Sequence, residues 1–143
     1  MGLAANIALM LYILIMLNVM ALMGSVLTLP GIAGIILGIG MAVDANVIIF
    51  ERMKEELRAD KSIHTAVENG FKRAFSAILD SNVTTLIAAV VLMIFGVGSI
   101  QGFAFTLAIG IGCSMISAIF ITRFLLRQVV KIGVNNRKWL IKQ

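Results

Sequence analysis

The sequence predicts an all-α membrane protein, a polytopic bundle of four transmembrane helices, and three observations support this fold class. Hydrophobic residues make up 60% of the 143 positions and charged residues only 13%, whereas a soluble domain typically has about 25% charged residues. The mean hydropathy is +1.04. All twelve lysines and arginines lie either between Arg52 and Arg73 or between Arg123 and Lys142. Long uncharged runs between basic segments are typical of a protein that crosses a bilayer several times.

Four apolar runs are long enough to span a bilayer, which takes about 20 helical residues. They cover approximately residues 3–26, 31–50, 75–95 and 103–126. Pro30 and Gly31 separate the first two runs, and Pro30 can open the second helix. Gly96 and Gly98 separate the last two. We therefore predict one transmembrane domain over residues 1–143.

The connection over residues 51–74 is predicted to be helical and cytoplasmic. Its first part continues the second helix into water, and Asp60 or Ser62 can cap a new helix. Apolar residues then recur at spacings of three and four, which predicts an amphipathic helix on the membrane surface: Ile63, Ala66, Val67, Phe71, Ala74 and Phe75. This connection and the basic tail, residues 127–143, are separated by two spans and share one side. The positive-inside rule makes that side cytoplasmic and places both termini there.

Asp44 is the only charged residue among the first fifty and lies inside an apolar run. A carboxylate at the centre of a membrane helix costs about 2.5–3.5 kcal/mol on insertion scales, so such a residue usually has a function. No lysine, arginine or histidine lies within any predicted span. Asp44 is therefore either protonated when buried or paired with a cation from a second subunit. Both alternatives suit a site that loads and releases a proton.

The other polar residues at depth are candidates for support near an ion path. Gly40, one turn before Asp44, leaves room for a neighbouring helix, a water or a moving side chain. Asn46 points about 160° away from Asp44 around the helix. Asp80 either caps or faces water at the interface, or belongs to the ion path. The remaining candidates follow Asp80 in the third span: Asn82, Thr84 and Thr85.

Rows of small residues at intervals of four predict tight helix packing, because lipid gives little hydrophobic drive for helices to associate. The fourth span has the longest row: Gly102, Thr106, Gly110, Ser114, Ala118 and Thr122. Shorter rows are Ala77, Ser81, Thr85 and Ala89 in the third span, and Gly34, Gly38 and Ala42 in the second.

Several function classes find no support in the sequence. There is no glycine-rich phosphate loop, and His64 and Cys113 are each the only residue of their type, which argues against a nucleophilic triad or a metal cluster. We expect no enzyme activity, no cofactor, no metal and no nucleic-acid partner.

Three segments, residues 27–52, 70–89 and 96–105, closely resemble SecD, the protein-export membrane subunit of the SecDF pair in the RND superfamily. The resemblance implies an RND-type half transmembrane domain that corresponds to the last four of six helices. The first two helices and the large extracytoplasmic region, which the family uses to engage preprotein, have no counterpart in the chain. We therefore expect a fragment or a split subunit.

The resemblance also implies a mechanism, a location and partners. Asp44 matches the acidic residue thought to carry protons, and an arginine of SecF would be its cation partner. The proton-motive force would then drive preprotein translocation. Further expected partners are the SecYEG translocon, SecA indirectly and YajC, in the bacterial cytoplasmic (inner) membrane.

The sequence leaves two alternatives open. One is an RND-type exporter of small or lipidic molecules, although drug exporters usually carry two adjacent acidic residues and here Ala45 follows Asp44. The other is a translocon scaffold that conducts nothing. The coupling ion, proton or sodium, is also left open by the sequence.

Overall fold

The computed structural model describes residues 2–24, 27–124, 127 and 131. Within this part the chain forms four long α-helices, and the last of them continues as a π-helix. They are α1 (Gly2–Leu22), α2 (Leu29–Arg58), α3 (Ile63–Phe95), α4 (Ser99–Ile116) and the π segment (Ser117–Thr122). All four α-helices contain windows long and apolar enough to cross a membrane. The predicted all-α class is confirmed. Most of the basic tail lies outside the described residues.

The helix starts follow from local capping. The Thr28 hydroxyl accepts a hydrogen bond from the backbone N–H of Gly31 at 3.2 Å, and Pro30 occupies the first turn of α2, where its missing N–H costs nothing. Of the two candidate caps for α3, Ser62 is the one used, since its hydroxyl accepts from the N–H of Thr65 at 3.3 Å. The turn into α4 contains Gly98 at φ +59°, a conformation that glycine adopts without strain.

The connection between the second and third spans differs from the prediction of a separate surface helix. α3 runs unbroken through 33 residues from Ile63 to Phe95, about 50 Å at 1.5 Å per residue. Most of its predicted membrane-facing residues pack against the end of α2: Ala66 is fully buried in one cluster with Met53 and Leu57 of α2, which are 2% and 1% exposed. This hairpin of α2 and α3 gives the apolar stripe a protein partner, so the stripe does not need a lipid surface.

The α2–α3 contact is closest at Gly70. A Cβ built there would lie 2.8 Å from both the backbone nitrogen and the Cα of Met53, a distance too short for any side chain. Gly70 therefore lets the two backbones approach where the chain leaves the apolar region.

The small-residue rows, from which we predicted tight helix packing, bring α2 and α4 into contact. A Cβ on Gly34 would lie 3.2 Å from Thr106 Cβ, and one on Gly38 would lie 3.7 Å from the Cα of Gly110. Both pairs are 72 positions apart in the sequence, so the two helices run parallel in constant register. α1 closes this side of the bundle through Tyr12, which is fully buried and donates from its hydroxyl to the Gly110 carbonyl at 3.4 Å.

Candidate functional site

Asp44 lies near the middle of α2 and faces away from the bundle. The core side of α2 is formed by its small and apolar residues, including Gly38, Ala42 and Ile49, which leaves Asp44 on the opposite, exposed side. Its neighbours on that outer face are large and apolar: Ile36, Leu37, Val43 and Val47 are 65%, 45%, 38% and 56% exposed. We call this surface of α2 the Asp44 face. No other described residue pairs with the Asp44 carboxylate.

Gly40 shares the Asp44 face one turn toward the start of α2. A Cβ built on Gly40 meets no atom within 4 Å, so the surface beside Asp44 is open and shallow. A second helix could come close to the carboxylate here, because the glycine presents only backbone.

The two asparagines among the predicted site residues lie inside the bundle, away from Asp44. Asn46 is 5% exposed and Asn82 is 6% exposed. The Asn82 amide nitrogen donates to the Ile78 carbonyl at 2.9 Å and to the Met115 sulfur at 3.2 Å. The first bond lies within α3, and the second joins α3 to α4. The predicted set is therefore divided between an outer acidic face and an interior polar layer.

Asp80 and Thr84 lie on the outer side of α3. The core side of α3 carries Ala74, Ile78 and Asn82, and Asp80 is exposed opposite to it. The hydroxyls of Thr84 and Thr85 donate to the carbonyls of Asp80 and Ser81, each at 2.9 Å. These threonines satisfy their hydroxyls within their own helix. No hydrogen bond or ion pair in the described part of the chain joins Asp80 to Asp44.

Glu56 is a charged residue whose position the sequence reasoning missed. Its side chain is 3% exposed and bridges the helix hairpin, with Arg73 Nη1 2.9 Å from Oε1 and Lys61 Nζ 2.5 Å from Oε2. We call these three residues the Glu56 clasp. The helical spacing of the sequence does indicate its position, because Glu56 falls on the same face of α2 as the apolar residues Ile49 and Met53.

The Glu56 clasp shifts the titration of its carboxyl group. The hydrogen bond from Lys61 lowers the pKa of Glu56 from its ordinary value of 4.5; burial opposes this shift and the charge of Arg73 adds to it. Since the folded state binds the proton more weakly than the unfolded state, the clasp stabilises the fold fully above the ordinary pKa. That stabilisation is lost as the pH falls through the lowered pKa.

Glu56→Gln is therefore expected to lower the thermal unfolding midpoint at neutral pH and to flatten its decline in acid. Thermal unfolding in detergent across pH 3 to 7 measures both effects. Glu55→Gln is the matched control, because Glu55 pairs with Arg52 at 2.8 Å on the exposed surface, where ion pairs contribute little. Equal acid profiles for the two variants would contradict the stabilising role of the clasp.

Known proteins share most of this sequence. The model of the family "Protein export membrane protein SecD/SecF, C-terminal" matches residues 1–131. The chain is 57% identical over 137 residues to the protein translocase subunit SecD of Acidaminococcus fermentans, covering 96% of this chain and 32% of the relative. It is 53% identical over 137 residues to the translocase subunit SecDF of Bacillus subtilis, covering 96% and 19%.

A solved structure is similar as well. The crystal structure of SecDF, a translocon-associated membrane protein from Thermus thermophilus, superposes with a TM-score of 0.89 at 42% identity and covers 92% of this chain. The match takes up 18% of the longer protein. Like the curated relatives, that protein extends well beyond the matched segment. The family model matches most of the chain, and the two curated relatives are more than 50% identical to it. The chain therefore belongs to the SecD/SecF C-terminal family of protein-export membrane proteins.

Proposed function

We propose that this chain is the membrane-helical part of a Sec protein-export subunit in which Asp44 carries a proton that couples the proton-motive force to preprotein movement. The observation that carries the proposal is the position of Asp44. It lies midway along a 30-residue helix, on an exposed and otherwise apolar face. Relatives named as protein translocase subunits support the export role.

A carboxylate on such a face requires either a proton or a cation. In hydrocarbon the charged form is strongly disfavoured, so protonation is favoured unless an opposite charge lies close. The described part of the chain supplies no such cation at this depth. We propose that an arginine of SecF docks against the Asp44 face, where Gly40 leaves room for it. The carboxylate then alternates between an ion pair and a neutral acid.

Protonation at Asp44 would be transmitted by helix packing. Loading neutralises the carboxylate, weakens the pairing with the partner's arginine and frees α2 to move. α2 is locked to α4 through Gly34 and Gly38 and to α3 at Gly70, so the helices shift together. Each proton that crosses contributes about 2.3 kcal/mol per 100 mV of membrane potential.

The distribution of basic residues supports a location. Lysines and arginines gather at the α2–α3 hairpin and beyond Arg123, which favours a cytoplasmic location for both segments in the bacterial inner membrane. We propose SecF and the SecYEG translocon as partners in the membrane, with SecA and YajC as further components.

Proton flux tests the coupling role of Asp44 directly. The complete subunit, reconstituted with SecF in liposomes, is given a pH gradient, and internal pH is followed with a dye. Asp44→Asn is expected to reduce the flux to that of protein-free liposomes, because the amide cannot exchange a proton in this range. Glu51→Gln is the matched control, since it removes one carboxylate from the same side of α2 two turns further on. Flux that persists in Asp44→Asn, or that follows a sodium gradient, would contradict the proposal.

A further inference from the structure

The Ser114 hydroxyl is an exception among the buried hydroxyls that the structure describes on α3 and α4. Its residue is 1% exposed, and its Oγ has no hydrogen-bond partner among the described residues. Other hydroxyls on these helices donate to a carbonyl of the preceding turn, as at Ser81, Thr84, Thr85 and Thr106. Because buried polar groups nearly always have a partner, an unpaired hydroxyl inside a bundle indicates a ligand.

The usual acceptor for Ser114 lies beside the Tyr12 hydroxyl. A helical serine commonly donates to the carbonyl four residues earlier, which here belongs to Gly110. The Tyr12 hydroxyl of α1 lies 3.4 Å from that carbonyl and 3.3 Å from the Met16 sulfur, its two possible acceptors. The Tyr12 hydroxyl thus lies beside the carbonyl that Ser114 would ordinarily use, while the Ser114 hydroxyl has no partner among the described residues.

The surroundings of Ser114 are small and partly polar. Two hydrogen bonds between α1 and α4 lie one on each side of it along the helix: Tyr12 to the Gly110 carbonyl, and Ser117 Oγ to the Ala8 carbonyl at 3.3 Å. On the α2 side, the constant register of 72 positions places Ala42 level with Ser114. Ala8 and Ala42 are buried, at 0% and 5% exposure, and each carries only a methyl side chain.

The same level of the bundle has further polar features. Asn46 lies one turn beyond Ala42 on the core side of α2, and α4 passes into the π segment three residues after Ser114. π turns inside helices occur frequently at functional sites. Polar groups are thus concentrated on one short stretch of an otherwise apolar core.

From this arrangement we propose that Ser114 and Tyr12 hold a water molecule between α1, α2 and α4. The water bonds to Ser114 Oγ and donates to the phenol oxygen of Tyr12, whose own proton is directed to the Met16 sulfur and the Gly110 carbonyl. Buried waters typically make about three hydrogen bonds. This site is separate from the Asp44 face, on the opposite side of α2, and does not depend on proton coupling there.

The bound water lets the contact between α1 and α4 adjust to small helix movements, which direct packing of side chains does not allow. In an apolar interior an unsatisfied hydroxyl is costly, whereas a water can adjust its bonds when two helices shift by a fraction of an ångström. α1 is thus held to α4 by hydrogen bonds and a bound water, while α2 is held to α4 by direct glycine contact.

A structure of the complete subunit at better than 2 Å, in lipid, tests the site directly. The expected result is ordered density within hydrogen-bond distance of both Ser114 Oγ and Tyr12 Oη, which disappears in Ser114→Ala. Absence of this density, or a Ser114 hydroxyl bonded to a protein carbonyl, would overturn the proposal.

Thermal unfolding gives an independent test, because a hydrated site and a dry site predict shifts of opposite sign in the unfolding midpoint of Ser114→Ala. If Ser114 holds a water, Ser114→Ala removes a satisfied hydroxyl and lowers the unfolding midpoint. If the hydroxyl is unsatisfied, the same change relieves a buried penalty and raises the midpoint, which would reject the site. Ser81→Ala is the matched control, because its hydroxyl donates to the Ile78 carbonyl at 3.1 Å within the helix.

Discussion

Asp44→Asn in the complete subunit is expected to abolish the part of protein export that depends on the proton-motive force. The substitution keeps the size of the side chain and removes its ability to take up and release a proton. Because Asp44 is exposed and pairs with no other described residue, both subunits are expected to reach normal levels in the membrane. Export of a secreted reporter with and without an uncoupler measures the effect, and the two rates should become equal in the variant.

Glu51→Gln again serves as the comparison, since it should leave the uncoupler-sensitive part of export intact. If Asp44→Asn also leaves it intact at normal subunit levels, the carboxylate is not the coupling group. The non-conducting scaffold alternative would then account for the chain better. The alternative of an exporter of small or lipidic molecules would gain support only from transport of such a compound that Asp44→Asn blocks while export continues.

The orientation of α2 shows how far a membrane sequence predicts its own packing. The opposed directions of Asp44 and Asn46 follow from helix geometry alone. Helix geometry does not show which of these two residues points into the core. Lipid and protein interior are equally apolar, so hydropathy cannot distinguish the two sides of the helix. The glycine row of α2 is the informative signal, since Gly34 and Gly38 mark the side that another helix approaches.

The α2–α3 hairpin shows a second case, in which periodicity marks an apolar face but does not identify what covers it. The spacing of Ala66, Val67 and Ala74 does mark an apolar face. A surface bilayer and a second helix satisfy such a face equally well, so periodicity cannot choose between them. The burial of Glu56 is equally hidden, because a single sequence does not show that Lys61 and Arg73 converge on it.

Gly70→Ala is expected to destabilise the chain strongly for a change of one methyl group. The new Cβ would lie 2.8 Å from the backbone of Met53, and backbone inside a helix cannot swing aside as a side chain can. α2 and α3 must separate, which loosens the Glu56 clasp one turn away. Overpacking of this kind costs about 1–3 kcal/mol, measurable as a lower thermal unfolding midpoint in detergent.

Gly40→Ala makes the same chemical change on α2 where a Cβ meets nothing within 4 Å. There the alanine should be neutral or stabilise the helix by up to about 1 kcal/mol, the usual gain in helix propensity over glycine. Opposite signs for the two variants would show that close backbone approach, and not glycine flexibility, is what Gly70 provides. Two small shifts of the same sign would mean that the hairpin can open at Gly70 without cost. Movement of α2 would then not be passed to α3 at that point, and the proposed coupling would depend on the α2–α4 contact alone.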